Sequence, residues 1–255
     1  MGGDLLVRGA VALARRLNVP PVVVAATVVG FGTSLPEMIV SIQATITGVP
    51  DLILGNVVGS NIANVLLVGG ASAVVYPLLH EDKEVRRNVL LMWGSLLAFS
   101  AFAATRDIGA IDGGILLAAF FVMMAATARS TIQAGVDSDP STPLDWILGI
   151  PSRMIVLVMF IVFGTAMLPL GANLLVDSAV EIAQRFAVPE AVIGLTVLAV
   201  GTSLPELTTT VLAAMEKRSD VAIGAIVGSN TFNILTIMGL TATISPAPIQ
   251  VSSRM

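Results

Sequence analysis

Glu37 and Glu206 each close an identical six-residue segment, Gly32-Thr33-Ser34-Leu35-Pro36-Glu37 and Gly201-Thr202-Ser203-Leu204-Pro205-Glu206. Each segment lies inside a long apolar stretch. Beyond each glutamate, 23 residues on, comes the serine of a Gly-Ser-Asn triplet: Ser60 with Asn61, and Ser229 with Asn230. Asn64 and Asn233 follow at the same spacing. A carboxylate at the centre of a bilayer costs about 2.5–3.5 kcal/mol on insertion scales, so each glutamate needs partners. No Lys or Arg lies close enough in its own stretch to be one. The groups nearby are oxygens. Thr33, Ser34, Thr202 and Ser203 precede the acids by one turn on the same helix face. The following stretches bring Ser60, Asn61 and Asn64, and Ser229, Asn230 and Asn233. Ser60 and Asn64 are four apart and share a face, as do Ser229 and Asn233. Pro36 removes a backbone donor and frees carbonyls near Gly32 and Thr33.

Two carboxylates, hydroxyls, amide oxygens and freed carbonyls make an all-oxygen cage. Hard cations suit it, since Ca²⁺ takes about 6–8 oxygens in flexible geometry. With no His or Cys in these segments, zinc, copper and iron fit poorly. Two carboxylates balance one divalent cation or two monovalent ones, which suits exchange between them. A single buried Glu could be protonated against a neighbouring carbonyl, but duplication with identical neighbours weighs against that reading. Gly55, Gly59, Gly224 and Gly228 read as packing positions that let helices approach. Asn61 and Asn230 suit either the cage or the layer behind it. A hydrolase using Ser34 or Ser203 as nucleophile lacks a base, because the only histidine, His80, lies among charged loop residues.

The elements that position these residues must work in lipid. Hydrophobic residues make up 55% of the 255 and charged residues 12%, against roughly 25% charged in soluble domains. Several apolar runs reach the ~20 residues that a helix needs to cross a bilayer. They lack the alternation of a lipid-facing barrel. The net charge of −4 carries no basic block for nucleic acid, and the absence of cysteine excludes disulfides and thiolate metal sites. The periodicity predicts helices over 4–17, from Pro20 to about Thr47 with a break at Pro36, and from Leu52 to Leu79. Further helices are expected over 89–105, 110–128, 152–185, 190–215 and 221–245, with a short polar tail. Residues 80–88 read as a charged loop and 130–150 as a polar, Pro-containing linker. Trp93 and Trp146 fit interfacial anchors.

The duplication extends well past the motifs. A constant offset of 169 residues relates Gly2 to Gly171, Val19-Pro20 to Val188-Pro189, Gly70 to Gly239 and Pro77 to Pro246. Between a residue and its copy the chain is expected to cross the membrane five times, so the copies face opposite ways. That is an inverted-topology repeat, with its site expected at the repeat interface near the midplane. Counting basic residues by side puts Arg15, Arg16, Lys83, Arg86, Arg87, Arg129, Arg153, Lys217 and Arg218 on one side. Arg106, Arg185 and Arg254 fall on the other. The richer side is the cytoplasm by the positive-inside rule. This places the protein in the plasma (inner) membrane with its N-terminus outside and the 80–88 and 130–150 loops cytoplasmic. The expected fold class is an all-α polytopic membrane protein, an inverted repeat of five-helix units with broken helices at the midplane. Residues 1–129 form the first repeat, 130–151 a cytoplasmic linker loop and 152–255 the second repeat. By the repeat arithmetic the front half of the first helix and the last two helices are expected to be missing, a truncation at both ends.

Two Gly-Thr-Ser-Leu-Pro-Glu copies, each followed by Gly-Ser-Asn-x-x-Asn, resemble the α-repeats of the cation/calcium antiporter superfamily, especially prokaryotic sodium/calcium exchanger-like proteins. The resemblance covers essentially the whole chain. It implies a secondary active antiporter, not an enzyme, that exchanges Ca²⁺ for Na⁺ (or H⁺) by alternating access. No cofactor is implied beyond the transported ions. Glu37 and Glu206 would be the shared Ca²⁺/Na⁺ carboxylates. Oxygens would come from Thr33, Thr202, Ser34, Ser203, Ser60 and Ser229, and from the backbone carbonyls of Gly30 and Ala199. Asn64 and Asn233 would take the central positions of the second motif. Some relatives carry Asp where this chain has Asn233, so here one titratable group is absent and the counter-ion is open between Na⁺, H⁺ and K⁺ involvement. A channel without coupling, or a non-transporting fragment, are the alternative readings.

Overall fold

Pro36 and Pro205 decide the shape of the helices that carry the acids. A proline has no N–H to give, and its ring crowds the carbonyl four residues back, so a helix bends there. The computed structural model describes residues 2–17, 21–48, 50–79, 83–134, 153–185 and 199–251. In it, Gly30–Thr33 ends at Ser34 (φ −84°, ψ 9°) and Leu35–Thr47 begins anew with Pro36 in its first turn. The segments on either side of the break, Ala25–Thr33 and Leu35–Thr47, meet at 51°. The second copy does the same, with Ala199–Thr202 breaking at Ser203 (φ −85°, ψ 3°) before Leu204–Met215. The interruption expected at Pro36 falls two residues earlier, at Ser34, and the helix expected over 190–215 is broken as well, at Ser203.

A second irregularity also repeats. Helix Pro50–Ala63 opens into a π-helical stretch, Asn64–Val68, and continues as Gly69–Val75. Its counterpart runs Ser219–Phe232, then π-helical Asn233–Met238, then Gly239–Ile244. The widened turn begins in each copy at the motif asparagine, Asn64 or Asn233, and such turns recur at functional sites. Helix Leu35–Thr47 ends on Gly48 in the left-handed region (φ 71°), where glycine has no Cβ penalty. The equivalent position in the second copy is Lys217, also left-handed (φ 58°).

Helix Gly2–Arg16 lies along the 32-residue helix Met154–Arg185. Helices Lys83–Ala104 and Ala110–Ala134 of the first copy pack across the 219–244 span of the second. That span is accordingly 83% buried over its most apolar stretch, against 39% for its equivalent Leu52–Val75. Ile62, Leu66 and Val74 of the latter are exposed, apolar side chains on the outer face of a helix long enough to cross a membrane. Among the described residues four helices have that length and apolarity, five if the bent pair counts as one span.

Some expected boundaries move. Helix Lys83–Ala104 starts inside the supposed 80–88 loop, because Glu84 suits the positive end of a helix and Arg87 donates to it at 3.1 Å one turn later. Helix Ala110–Ala134 runs five residues into the supposed 130–151 linker. The 50–75 helix stops at Val75, short of Leu79, where Tyr76 turns extended. The tail is not simply polar. Asp107–Ile108 pairs antiparallel with Ile249–Gln250, which buries Ile108 and Ile249. The rest of the linker, the start of the 190–215 helix, Trp146 and His80 lie outside the described residues.

Candidate cation site

Because each glutamate sits in the first turn of the helix that restarts after the break, its carboxylate faces the positive end of that helix. The two restarts approach from opposite copies. Glu37 is 0% exposed and Glu206 1%. Neither has an ion-pair partner among the described residues. Both oxygens of Glu37 and Oε2 of Glu206 are buried without a hydrogen bond. Ser34 Oγ crosses between copies to donate to Glu206 Oε1 at 3.2 Å. Thr33 Oγ1 and Ser229 Oγ share a hydrogen bond of 3.2 Å, also between copies. The carbonyl of Gly30 lies within reach of both hydroxyls, 3.4 Å from Thr33 Oγ1 and 3.5 Å from Ser229 Oγ, and the Val29 carbonyl is nearer to Thr33, at 3.1 Å.

Close approach makes these contacts possible. A Cβ on Gly30 would stand 2.9 Å from the carbonyl carbon of Gly228 and from the nitrogen of Ser229. A Cβ on Gly228 would stand 2.2 Å from the carbonyl oxygen of Ala26. Only glycine fits at either place. The packing role expected for Gly228 is therefore observed.

Ser60, Asn64, Ser229 and Asn233 are fully buried. Asn233 Nδ2 reaches across to Ser60 Oγ (3.1 Å) and Asn61 Oδ1 (3.1 Å), and Asn64 Nδ2 reaches Asn230 Oδ1 (3.1 Å). The Oδ1 atoms of Asn64 and Asn233, and Ser203 Oγ, are buried with no hydrogen-bond partner. Thr202 is buried beside Ser203. Ala199 opens the short helix Ala199–Thr202 before the second break. Of the sequence-predicted side chains of the site all but the half-buried Asn61 are thus buried, and Thr33, Ser34, Ser60, Asn64, Ser229, Asn233 and Glu206 are joined by bonds between copies. Among these site residues the buried, unbonded side-chain atoms are six oxygens: three from carboxylates, two from amides and one hydroxyl. Buried oxygens without donors are costly, and an all-oxygen set of this kind is what a hard cation satisfies. No group of three or more His, Cys, Asp or Glu side chains occurs among the described residues, so carboxylates alone do not make the cage.

Sequence reasoning missed Asn56. Its Nδ2 donates to the Glu37 carbonyl (2.9 Å) and to Ser41 Oγ (2.8 Å), holding the glutamate's turn from behind. The second copy has Ala225 at this position, so the repeat gave no signal. A cavity of about 700 Å³ lies beside the site, walled by Phe31, Phe120 and Phe232 among others, and does not include either glutamate.

A helical polytopic membrane protein whose two related halves deliver buried acids on broken helices belongs to the class of repeat-built ion transporters. The family model described as sodium/calcium exchanger protein matches residues 1–128 and 156–255. The chain belongs to that family, whose members are multi-pass membrane transporters and not enzymes. It is 35% identical to the "Putative antiporter CaxA" of Alkalimonas amylolytica over 98% of this chain and 78% of that protein. It is 30% identical to the "Sodium/calcium exchanger MaX1" of Methanosarcina acetivorans over 97% and 80%. A structure of the sodium-calcium exchanger NCX_Mj, soaked with Na⁺ and Ca²⁺, superposes with a TM-score of 0.81 at 30% identity, over 99% of this chain and 80% of that one.

Proposed function

We propose that this chain exchanges Ca²⁺ against Na⁺ or H⁺ by alternating access, with the cation held between Glu37 and Glu206. The observation that carries this reading is the pair of buried carboxylates, one from each half, with no cationic side chain opposite them among the described residues. Leaving such charges uncompensated costs several kcal/mol per ion. One Ca²⁺ cancels both, and so do two Na⁺ or two protons. The two halves rock past one another only when the charge is cancelled, so cations cross in exchange and do not leak. Thr33, Thr202, Ser34, Ser203, Ser60, Ser229, Asn64 and Asn233, with the carbonyls of Gly30 and Ala199, replace the water that the ion sheds. The basic loops set the N-terminus outside and Lys217 on the cytoplasmic side of the plasma (inner) membrane.

Purified protein in liposomes loaded with Na⁺ takes up Ca²⁺ when the Na⁺ gradient points outward, and Glu37→Gln and Glu206→Gln each abolish that uptake. Normal transport by either variant rules out the two-carboxylate site. Ca²⁺ entry that ignores both Na⁺ and pH gradients makes the protein a channel. Because the chain has no cysteine, single cysteines at Arg106 and Lys217 report sidedness directly, and labelling of both from one side rules out the topology.

A further inference from the structure

The four motif asparagines form two bonded pairs that cross from one copy to the other. Asn64 Nδ2 donates to Asn230 Oδ1, and Asn233 Nδ2 donates to Asn61 Oδ1, both at 3.1 Å. The pairs are equivalent under the repeat, since Asn64 corresponds to Asn233 and Asn61 to Asn230. A carboxamide can present either its oxygen or its NH₂, and the two ends are sterically alike. Something must decide which end of Asn64 and Asn233 faces the ion, because an NH₂ there repels a cation.

The next bond in each chain decides it for Asn64, and for Asn233 it does so jointly with Ser60, whose Oγ also accepts from Asn233 Nδ2 (3.1 Å) while giving its own proton to the Asn56 carbonyl (2.6 Å). Asn61 Nδ2 donates to the backbone carbonyl of Asn230 (3.4 Å), a group that only accepts. Asn230 Nδ2 contacts the Met92 thioether (3.8 Å), which also only accepts. Each relay therefore has an acceptor at its outer end, which fixes Asn61 and Asn230 with their oxygens inward. Those oxygens take the NH₂ of Asn233 and Asn64. The oxygens left over are Asn64 Oδ1 and Asn233 Oδ1, buried and without partners.

We infer that Asn61 and Asn230 are positioning residues, each of which orients the central asparagine of the opposite copy so that its amide oxygen meets the transported cation. This rests on the cation site proposed above. Asn61 acts on Asn233 and not on its own helix neighbour Asn64. The arrangement also ties the two halves at the level of the ion, so each half supplies the orientation of the other's ligand.

The test is a double-mutant cycle on Ca²⁺ binding by the purified protein, read as ⁴⁵Ca²⁺ equilibrium dissociation constants, with helical content and monodispersity checked for each variant. Asn61→Ala is expected to weaken binding about tenfold, the effect of losing roughly one hydrogen-bonded ligand. On an Asn233→Ala background the same change is expected to cost less than twofold, because its target is gone. On an Asn64→Ala background it keeps its full tenfold effect. Asn233→Asp gives a second readout: a carboxylate shows oxygen in either orientation, so Asn61→Ala becomes nearly silent on that background. Asn230→Ala paired with Asn64 gives the mirror result and serves if an Asn61 variant fails to fold. The inference is overturned if Asn61→Ala binds Ca²⁺ like the parent, or if its effect adds to that of Asn233→Ala and vanishes with Asn64→Ala. Glu37→Gln, measured alongside, tests the site itself: undiminished binding there overturns the reading on which this rests, whatever the asparagines do.

Discussion

Gly228→Ala adds a single methyl group at the closest approach between the copies. The new Cβ would lie 2.2 Å from the Ala26 carbonyl oxygen, 2.5 Å from the Ala26 Cα and 2.7 Å from its carbonyl carbon. All three are backbone atoms, so no side-chain rotation relieves the clash. Carbon–oxygen contacts settle at about 3.3–3.6 Å, so the two segments must part by roughly 1 Å. Overpacking of this kind costs about 1–3 kcal/mol. The neighbouring residue is Ser229, whose 3.2 Å bond to Thr33 has only about 0.3 Å to spare before it fails as a hydrogen bond. Parting the segments therefore also opens the site. At about 1.4 kcal/mol per factor of ten, the expected loss in apparent Ca²⁺ affinity is about 10–100-fold. Half-saturation for ⁴⁵Ca²⁺ uptake into Na⁺-loaded liposomes measures it, with thermal midpoint in detergent as the stability readout. Gly114→Ala is the control, since its Cβ meets no described atom within 4 Å. If Gly228→Ala matches the parent in both measurements, the close contact does not set the geometry of the site and the reasoning fails.

Ser34→Ala removes the donor that bridges to Glu206 Oε1. A hydrogen bond to a charged group is worth about 1.5–3 kcal/mol, so Ca²⁺ half-saturation is expected to rise at least tenfold. Thr45→Val, which loses only a bond to its own helix at Ser41, is expected to change it little. Lys217→Gly replaces a left-handed lysine (φ 58°) with the residue that the first copy uses at Gly48. Left-handed backbone costs a residue with a Cβ about 1–2 kcal/mol, while glycine loses about 0.4–1 kcal/mol through unfolded-state entropy. The net is a gain of up to about 1.6 kcal/mol, seen as a higher thermal midpoint; a lower midpoint contradicts it.

The breaks at Ser34 and Ser203 were legible because proline and glutamate are adjacent in a hydrophobic run and occur twice. Pairing of the halves was legible because one offset fits both motifs. Spacing of four residues also put Ser60 with Asn64, and Ser229 with Asn233, on shared faces. Spacing does not say which residue of the other copy a side chain meets, so the crossed bonds of Asn61 and Asn230 show only in the packing of the two copies. Helix ends were blurred where charged residues formed a first turn, as at Lys83 and Glu84, since hydropathy cannot tell such a turn from a loop. The pairing of Asp107–Ile108 with Ile249–Gln250 joins segments far apart in the chain and only two residues long, too short to show a period.

The two copies repeat their letters where the buried oxygens of the candidate site gather and diverge where only the position of a turn matters. Behind Glu37, the main-chain carbonyl accepts from Asn56 Nδ2 at 2.9 Å. Behind Glu206, the same carbonyl accepts from Thr210 Oγ1 at 2.6 Å. The first copy has Ser41 where the second has Thr210, and the second has Ala225 where the first has Asn56. Different residues therefore do one job, which is to steady the turn that aims the carboxylate. The solutions are expected to be exchangeable. Asn56→Ala alone leaves the Ser41 hydroxyl and the Glu37 carbonyl without their shared donor in a buried place, a cost of about 1–3 kcal/mol and a lower thermal midpoint. Adding Ser41→Thr transplants the second copy's arrangement, because the added methyl restricts the hydroxyl to rotamers that donate to the carbonyl four residues back, as Thr210 does, whereas a serine hydroxyl is not so confined. The double variant is expected to recover most of the lost stability and the parent's Ca²⁺ half-saturation. If Ser41→Thr restores nothing, Asn56 acts through something other than the glutamate's turn, and the equivalence of the two halves ends at the motif letters.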